Sequence, residues 1–176
     1  MKTTLLIIAL CVLFVCSLFN RKINVFKIIT KQFSIYKNDK TKKYSIFDIF
    51  TFIVVPISMA IILVFLLEYS FLTTKADLFI TVLSIVSTVL FSFLALLIEK
   101  KNNSDNKKEI QVSNETYISI IMTILYSMIS IILLIVLLIL PDIQWLIRVI
   151  NGICYCLLIK ITLHILMVLK RMFLLL

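Results

Sequence analysis

A single glycine, two prolines and one histidine among 176 residues remove several kinds of protein from consideration. Tight turns, phosphate-cradling loops and the broken helices of transporters draw on glycine and proline for irregular backbone. Transition-metal centres need His, Cys and carboxylates held close together. Here the lone His164 is joined only by Cys11, Cys16, Cys154 and Cys156, which show no C-x-x-C spacing. No metal site, cofactor or disulfide framework is expected. Catalytic signatures are missing as well: there is no G-x-G-D, G-x-S-x-G or H-E-x-x-H run and no paired acidic motif. His164 has Lys160 beside it and no carboxylate in the same apolar stretch to orient it for acid–base work. The chain is expected not to be an enzyme.

Charge is scarce and unevenly placed. Charged residues make up 15% of the chain and hydrophobic ones 62%, with a mean hydropathy of +1.14. A soluble domain carries about 25% and about 45–50% respectively, so water could not accommodate this much apolar surface. A helix crossing a hydrocarbon core of about 30 Å needs roughly 20 apolar residues. Five stretches qualify, at about 3–19, 49–67, 78–98, 117–140 and 143–169. A β-barrel would alternate polar and apolar positions, whereas Ile131 to Leu140 is apolar throughout. The expected fold class is all-α, a polytopic transmembrane helical bundle. It forms a single transmembrane domain over residues 1–176 with five spans, or four if the first segment is not a span. A cytoplasmic basic loop is expected at 20–48 and a mobile, solvated cytoplasmic linker at 99–116.

Lysines and arginines set the expected orientation. Lys2 stands alone at the start, eight basic residues lie between spans one and two, and Lys75 alone lies between two and three. Four follow span three (Lys100, Lys101, Lys107, Lys108), none separate spans four and five, and Lys170 and Arg171 close the series. Under the positive-inside rule this alternation puts the N-terminus outside and the C-terminus in the cytoplasm of an inner (plasma) membrane. The rival reading of the first segment is a cleaved signal peptide. It is disfavoured because no small residue precedes Cys11 or Cys16 at cleavage spacing, and because Arg21 and Lys22 place the charge after the apolar run.

Several internal faces carry polar residues. In the first loop Phe26, Ile29, Phe33 and Tyr36 recur at helical spacing while Lys27 and Lys31 fall elsewhere. This suits an amphipathic helix on the inner leaflet, with Lys22, Lys27, Lys31, Lys42 and Lys43 attracting anionic lipids. An ordinary orienting loop is the alternative, and nucleic acid is not expected as a partner. Span three carries Thr81, Ser84, Thr88, Ser92 and Ala95 along one face. Span four carries Thr116, Ser119, Thr123, Ser127 and Ser130, and span two a weaker set in Thr51, Pro56, Ser58 and Ala60. Small hydroxyl residues at such spacing allow close helix packing and interhelical hydrogen bonds. They equally suit the lining of a pore.

Span five holds Arg148, Asn151, Lys160 and His164, and ionisable residues inside a span mark candidate functional sites. Lys160 either snorkels or finds a buried partner. Glu99 is the expected partner of Lys160 or His164, and Asp142 or Glu68 of Arg148.

The polar-flecked span Leu83 to Glu99, the short linker after it and the ending Leu169-Lys170-Arg171-Met172-Phe173-Leu174-Leu175-Leu176 loosely resemble small multi-span bacterial membrane proteins, including membrane components of antiviral defence systems. The resemblance covers about a third of the chain and carries no functional residue. It implies a defence-associated role, and with the polar helix faces the expected function is a membrane effector or pore-forming component that works as a homo-oligomer. The alternative is a membrane anchor or sensor subunit that recruits a soluble, neighbour-encoded cytoplasmic partner. On the expected topology, reporter fusions after Lys31 and after Lys107 should both read cytoplasmic; opposite readings would overturn the orientation.

Overall fold

The computed structural model describes residues 25–35, 45–66, 75–102, 106–139 and 144–175, and every regular element among them is helical. Among the described residues there are five helices: α1 (Val25–Ile35), α2 (residues 46–66), α3 (Ala76–Asn102), α4 (Lys107–Ile139) and α5 (Gln144–Leu175). The last four are long and apolar enough to cross a membrane, and the chain is a multi-span membrane protein. Lipid supplies no hydrogen bonds to exposed backbone, so helices that satisfy their own amides are the available solution. The expected first span at 3–19 lies outside the described residues, as do Lys22, Lys42 and Lys43.

Local chemistry explains where the helices start and stop. Ser45 caps α2, its hydroxyl accepting from the Asp48 amide at 3.3 Å, and Asp48 sits in the first turn where the helix dipole favours a carboxylate. Asn106 caps α4 by accepting from the Lys108 amide at 3.1 Å, and its own amide donates to Glu109 at 3.1 Å. Lys100 and Lys101 occupy the last turn of α3, where cations are favoured. Helix takes up most of the expected linker at 99–116. Helix continues to Asn102 and resumes at Lys107, so polar residues extend α3 and α4 beyond their apolar stretches. A connection this short makes the two helices antiparallel neighbours.

α2 is not a uniform α-helix. Pro56 has no N–H to give to the Phe52 carbonyl four residues back, and its ring would crowd that carbonyl. The chain responds with a wider, π-helical turn over Phe50–Val54, in which the Val55 amide donates to the Phe50 carbonyl five residues back. Pro56 itself is buried at the start of the α-helical turn Val55–Ile61. Such insertions are common near functional sites, and here the widened turn carries Phe52.

α4 is the centre of the bundle: it packs against α3 and α5, α5 also packs against α2, and α1 lies on α4. The inward face of α3 is Ala76, Leu83, Leu90 and Leu97, a strict seven-residue repeat that forms a coiled-coil-like seam. Two apolar clusters result. One gathers Ala60, Val64, Leu83, Leu134, Ile150 and Cys154; the other, towards the end of the bundle rich in lysine and arginine, gathers Leu90, Leu97, Ile120, Ile124 and Val168. That end, where α2 and α4 begin and α3 and α5 finish, is called the basic end below. Leu134 is fully buried at the centre of the larger cluster. Truncating it to Ala should lower stability by about 2–4 kcal/mol, measurable as reduced resistance to denaturing detergent, with the surface control Leu138→Ala nearly neutral.

Candidate functional site

The polar residues of α5 are held by neighbours that sequence spacing did not identify. His164 lies on the inner side of α5 and is 1% exposed. Its Nδ1 is 2.8 Å from the Lys160 carbonyl oxygen. A carbonyl can only accept, so Nδ1 carries the proton and Nε2 of the neutral ring is left as an acceptor. Gln32 of α1 meets it there, its Nε2 lying 3.2 Å from His164 Nε2. Two aromatic edges complete the surround: the rings of Phe52 and Tyr126 pack against the imidazole at 5.2 and 5.4 Å between centroids. Lys160 points its ammonium over the Tyr126 face at 5.6 Å, within the range where a cation is attracted to the ring quadrupole. A cavity of about 120 Å3 separates α1 from the bundle here, with Gln32, Tyr126, Lys160 and His164 on its walls.

α1 therefore docks on the bundle as well as being amphipathic. The face it turns inward is Ile28, Ile29, Gln32 and Ile35, with Gln32 buried, while Phe33 is 42% exposed. Of the expected apolar face through Phe26, Ile29, Phe33 and Tyr36, Ile29 and Phe33 both border the cavity between α1 and the bundle. The side chain of Phe26 and all of Tyr36 lie outside the described residues. Lys27 and Lys31 are exposed. His164 lies five residues before Leu169, roughly 7.5 Å below the apolar boundary.

Other expected partners are not brought together. Glu99 is exposed on α3, and His164 takes Gln32, not Glu99, as its side-chain partner. Arg148 is exposed beside Trp145 near the start of α5, while Glu68 and Asp142 lie outside the described residues. Asn151 is buried, and its Oδ1 makes no hydrogen bond among the described residues.

The two hydroxyl rows part company. On α4, Thr116, Ser119, Thr123, Ser127 and Ser130 are all 0% exposed, sealed between α3 and α5. On α3, Thr81, Ser84, Thr88 and Ser92 are exposed, each bonded to a carbonyl of its own helix four residues back. At 3.6 residues per turn the α3 row lies roughly 140° from the leucine seam, so the rows do not meet within one chain. The interhelical hydroxyl contact is made instead by Ser87, whose Oγ lies 2.7 Å from Ser127 Oγ. Ser87 belongs to the leucine repeat, between Leu83 and Leu90, and that register was the available signal for it.

Arg171 was read only as an orienting charge. It ties α5 to α4 at the basic end, donating from its guanidinium to Glu115 at 3.2 Å and to Ser119 at 3.1 Å. Gln111 donates to the other oxygen of Glu115 at 3.2 Å.

No family model, no curated protein and no solved structure matches the chain.

If the Gln32–His164 contact holds α1 in place, a double-mutant cycle between Gln32→Ala and His164→Ala should give a coupling of about 0.6 kcal/mol and no more than about 2. Each single variant should also increase protease cleavage within residues 25–35. Additive effects with unchanged cleavage would show that α1 is held by other contacts.

Proposed function

We propose that the protein is a non-enzymatic membrane protein that self-associates through the outward face of α3 and encloses a polar path in the assembly. On this reading it is a membrane effector or pore-forming component of bacterial antiviral defence, the role its resemblance implies. The observation that carries the reading is the division of the two hydroxyl rows. The α4 hydroxyls are fully buried inside one chain and serve close packing. The row of hydroxyls available to line a path between copies is Thr81, Ser84, Thr88 and Ser92, which stand exposed on α3 with Ala95 in the same row. Each is satisfied by its own helix, so a single copy tolerates lipid there, and each hydroxyl retains acceptor capacity for a neighbour or for water. Small side chains also let helix backbones approach closely where lipid supplies no hydrophobic drive for association.

A second reading is favoured by α1. Its latch to the bundle leaves Lys27 and Lys31 exposed on the outside, which suits a membrane anchor or sensor subunit that offers a basic face to a soluble cytoplasmic partner. The two readings separate in one assay. Overproduction of the native chain should depolarise the membrane, and Ser84→Leu together with Thr88→Leu should abolish the effect while leaving membrane insertion intact. A normal potential with the native chain, combined with co-purification of a neighbour-encoded protein, would replace the pore reading by the subunit one.

A further inference from the structure

At the basic end a groove of about 480 Å3 runs between the first turns of α2 and the last turns of α5, closed on one side by Ile35 of α1. Phe52, Leu163 and Leu166 line its apolar floor, and Asp48, Lys170 and Arg171 stand on its rim. Arg171 is committed to Glu115 and Ser119. Asp48 and Lys170 differ from it: they border the same groove, yet among the described residues neither forms an ion pair. From Lys170 back to Leu163, α5 covers roughly 10 Å. The apolar floor thus descends from the level where charged residues end the span towards the bilayer interior.

An anion and a cation facing one groove without pairing are complementary to a dipolar ligand of the opposite arrangement. We propose that the groove holds one phospholipid with a primary-ammonium head group. Its phosphate accepts from the Lys170 ammonium, its own ammonium donates to the Asp48 carboxylate, and one acyl chain lies along Phe52, Leu163 and Leu166. Charge-assisted hydrogen bonds of this kind are stronger than neutral ones. A purely anionic head group would satisfy Lys170 but set a second negative charge against Asp48. A quaternary ammonium would bring the charge without an N–H to donate. The membrane itself supplies the ligand, and the floor needs no more than an acyl chain to cover it.

The test uses the full chain purified in detergent and incubated with equimolar phosphatidylethanolamine, phosphatidylcholine and phosphatidylglycerol bearing identical oleoyl chains. Retained lipid is read by native mass spectrometry. The native protein should retain phosphatidylethanolamine about two- to fivefold over phosphatidylglycerol, the scale of one partly exposed ion pair, with phosphatidylcholine between them. Asp48→Asn should remove that preference, Asp48→Glu should restore it, and Lys170→Gln should lower retention of all three. Equal retention of the three lipids by the native protein, a preference for phosphatidylglycerol, or a preference that survives Asp48→Asn would each overturn the proposal. The comparison within the native protein stands even where a variant fails to fold.

Discussion

The hydrocarbon of a bilayer cannot hydrogen-bond to a protein, and the arrangement of this bundle follows from that constraint. Backbone amides are satisfied by helix formation, so the only freedom left lies in the side chains and in how the helices meet. Helix contact within lipid gains nothing from excluding water and depends on close packing and polar contacts. α4 meets both needs. Its column from Thr116 to Ser130 is small enough for α3 and α5 to approach, and its hydroxyls bond mostly to its own carbonyls. Where one reaches outward, at Ser127, it finds Ser87. Where a charge must be kept near the packing surface, Arg171 finds Glu115 and Ser119.

The same constraint explains why His164 is neutral in its contacts and enclosed. One nitrogen is committed to the backbone of its own helix and the other to an amide from α1, so the ring presents no unmet polarity to the surrounding apolar groups. Lys160 follows a different course, resting its charge on the π-face of Tyr126. Pro56 contributes at a distance: the widened turn it imposes presents Phe52 to the imidazole edge.

Much of the fold was legible because hydropathy is a one-dimensional signal. Each of the spans expected second to fifth coincides with a helix, since a run such as Ile131 to Leu140 has no alternative in lipid, although α4 begins at Lys107 where 117 was expected and α5 runs to Leu175 where 169 was expected. The contacts between helices were far less legible. A row of hydroxyls on α3 looks from sequence like a packing face, but a competing heptad of leucines won the contact with α4, because leucine fills a seam that serine leaves open. Glu99 was the natural candidate for His164 on grounds of charge, yet an uncharged Gln32 took the place. A neutral imidazole needs a donor and not a counter-ion. The one hint of this was a lone amide set among Ile28, Ile29 and Ile35 on the otherwise apolar side of α1.

The docking of α1 also dictates an order of biogenesis. Gln32 and His164 are 132 residues apart in sequence, so α1 leaves the ribosome long before its receptor site exists. Contacts between such distant segments form late, after the intervening chain has been ordered. Once α4 has emerged, α1 can pack against it, but the bond from Gln32 has no acceptor until α5 brings His164. Closing the latch thus waits for a helix that the ribosome makes much later than α1 itself.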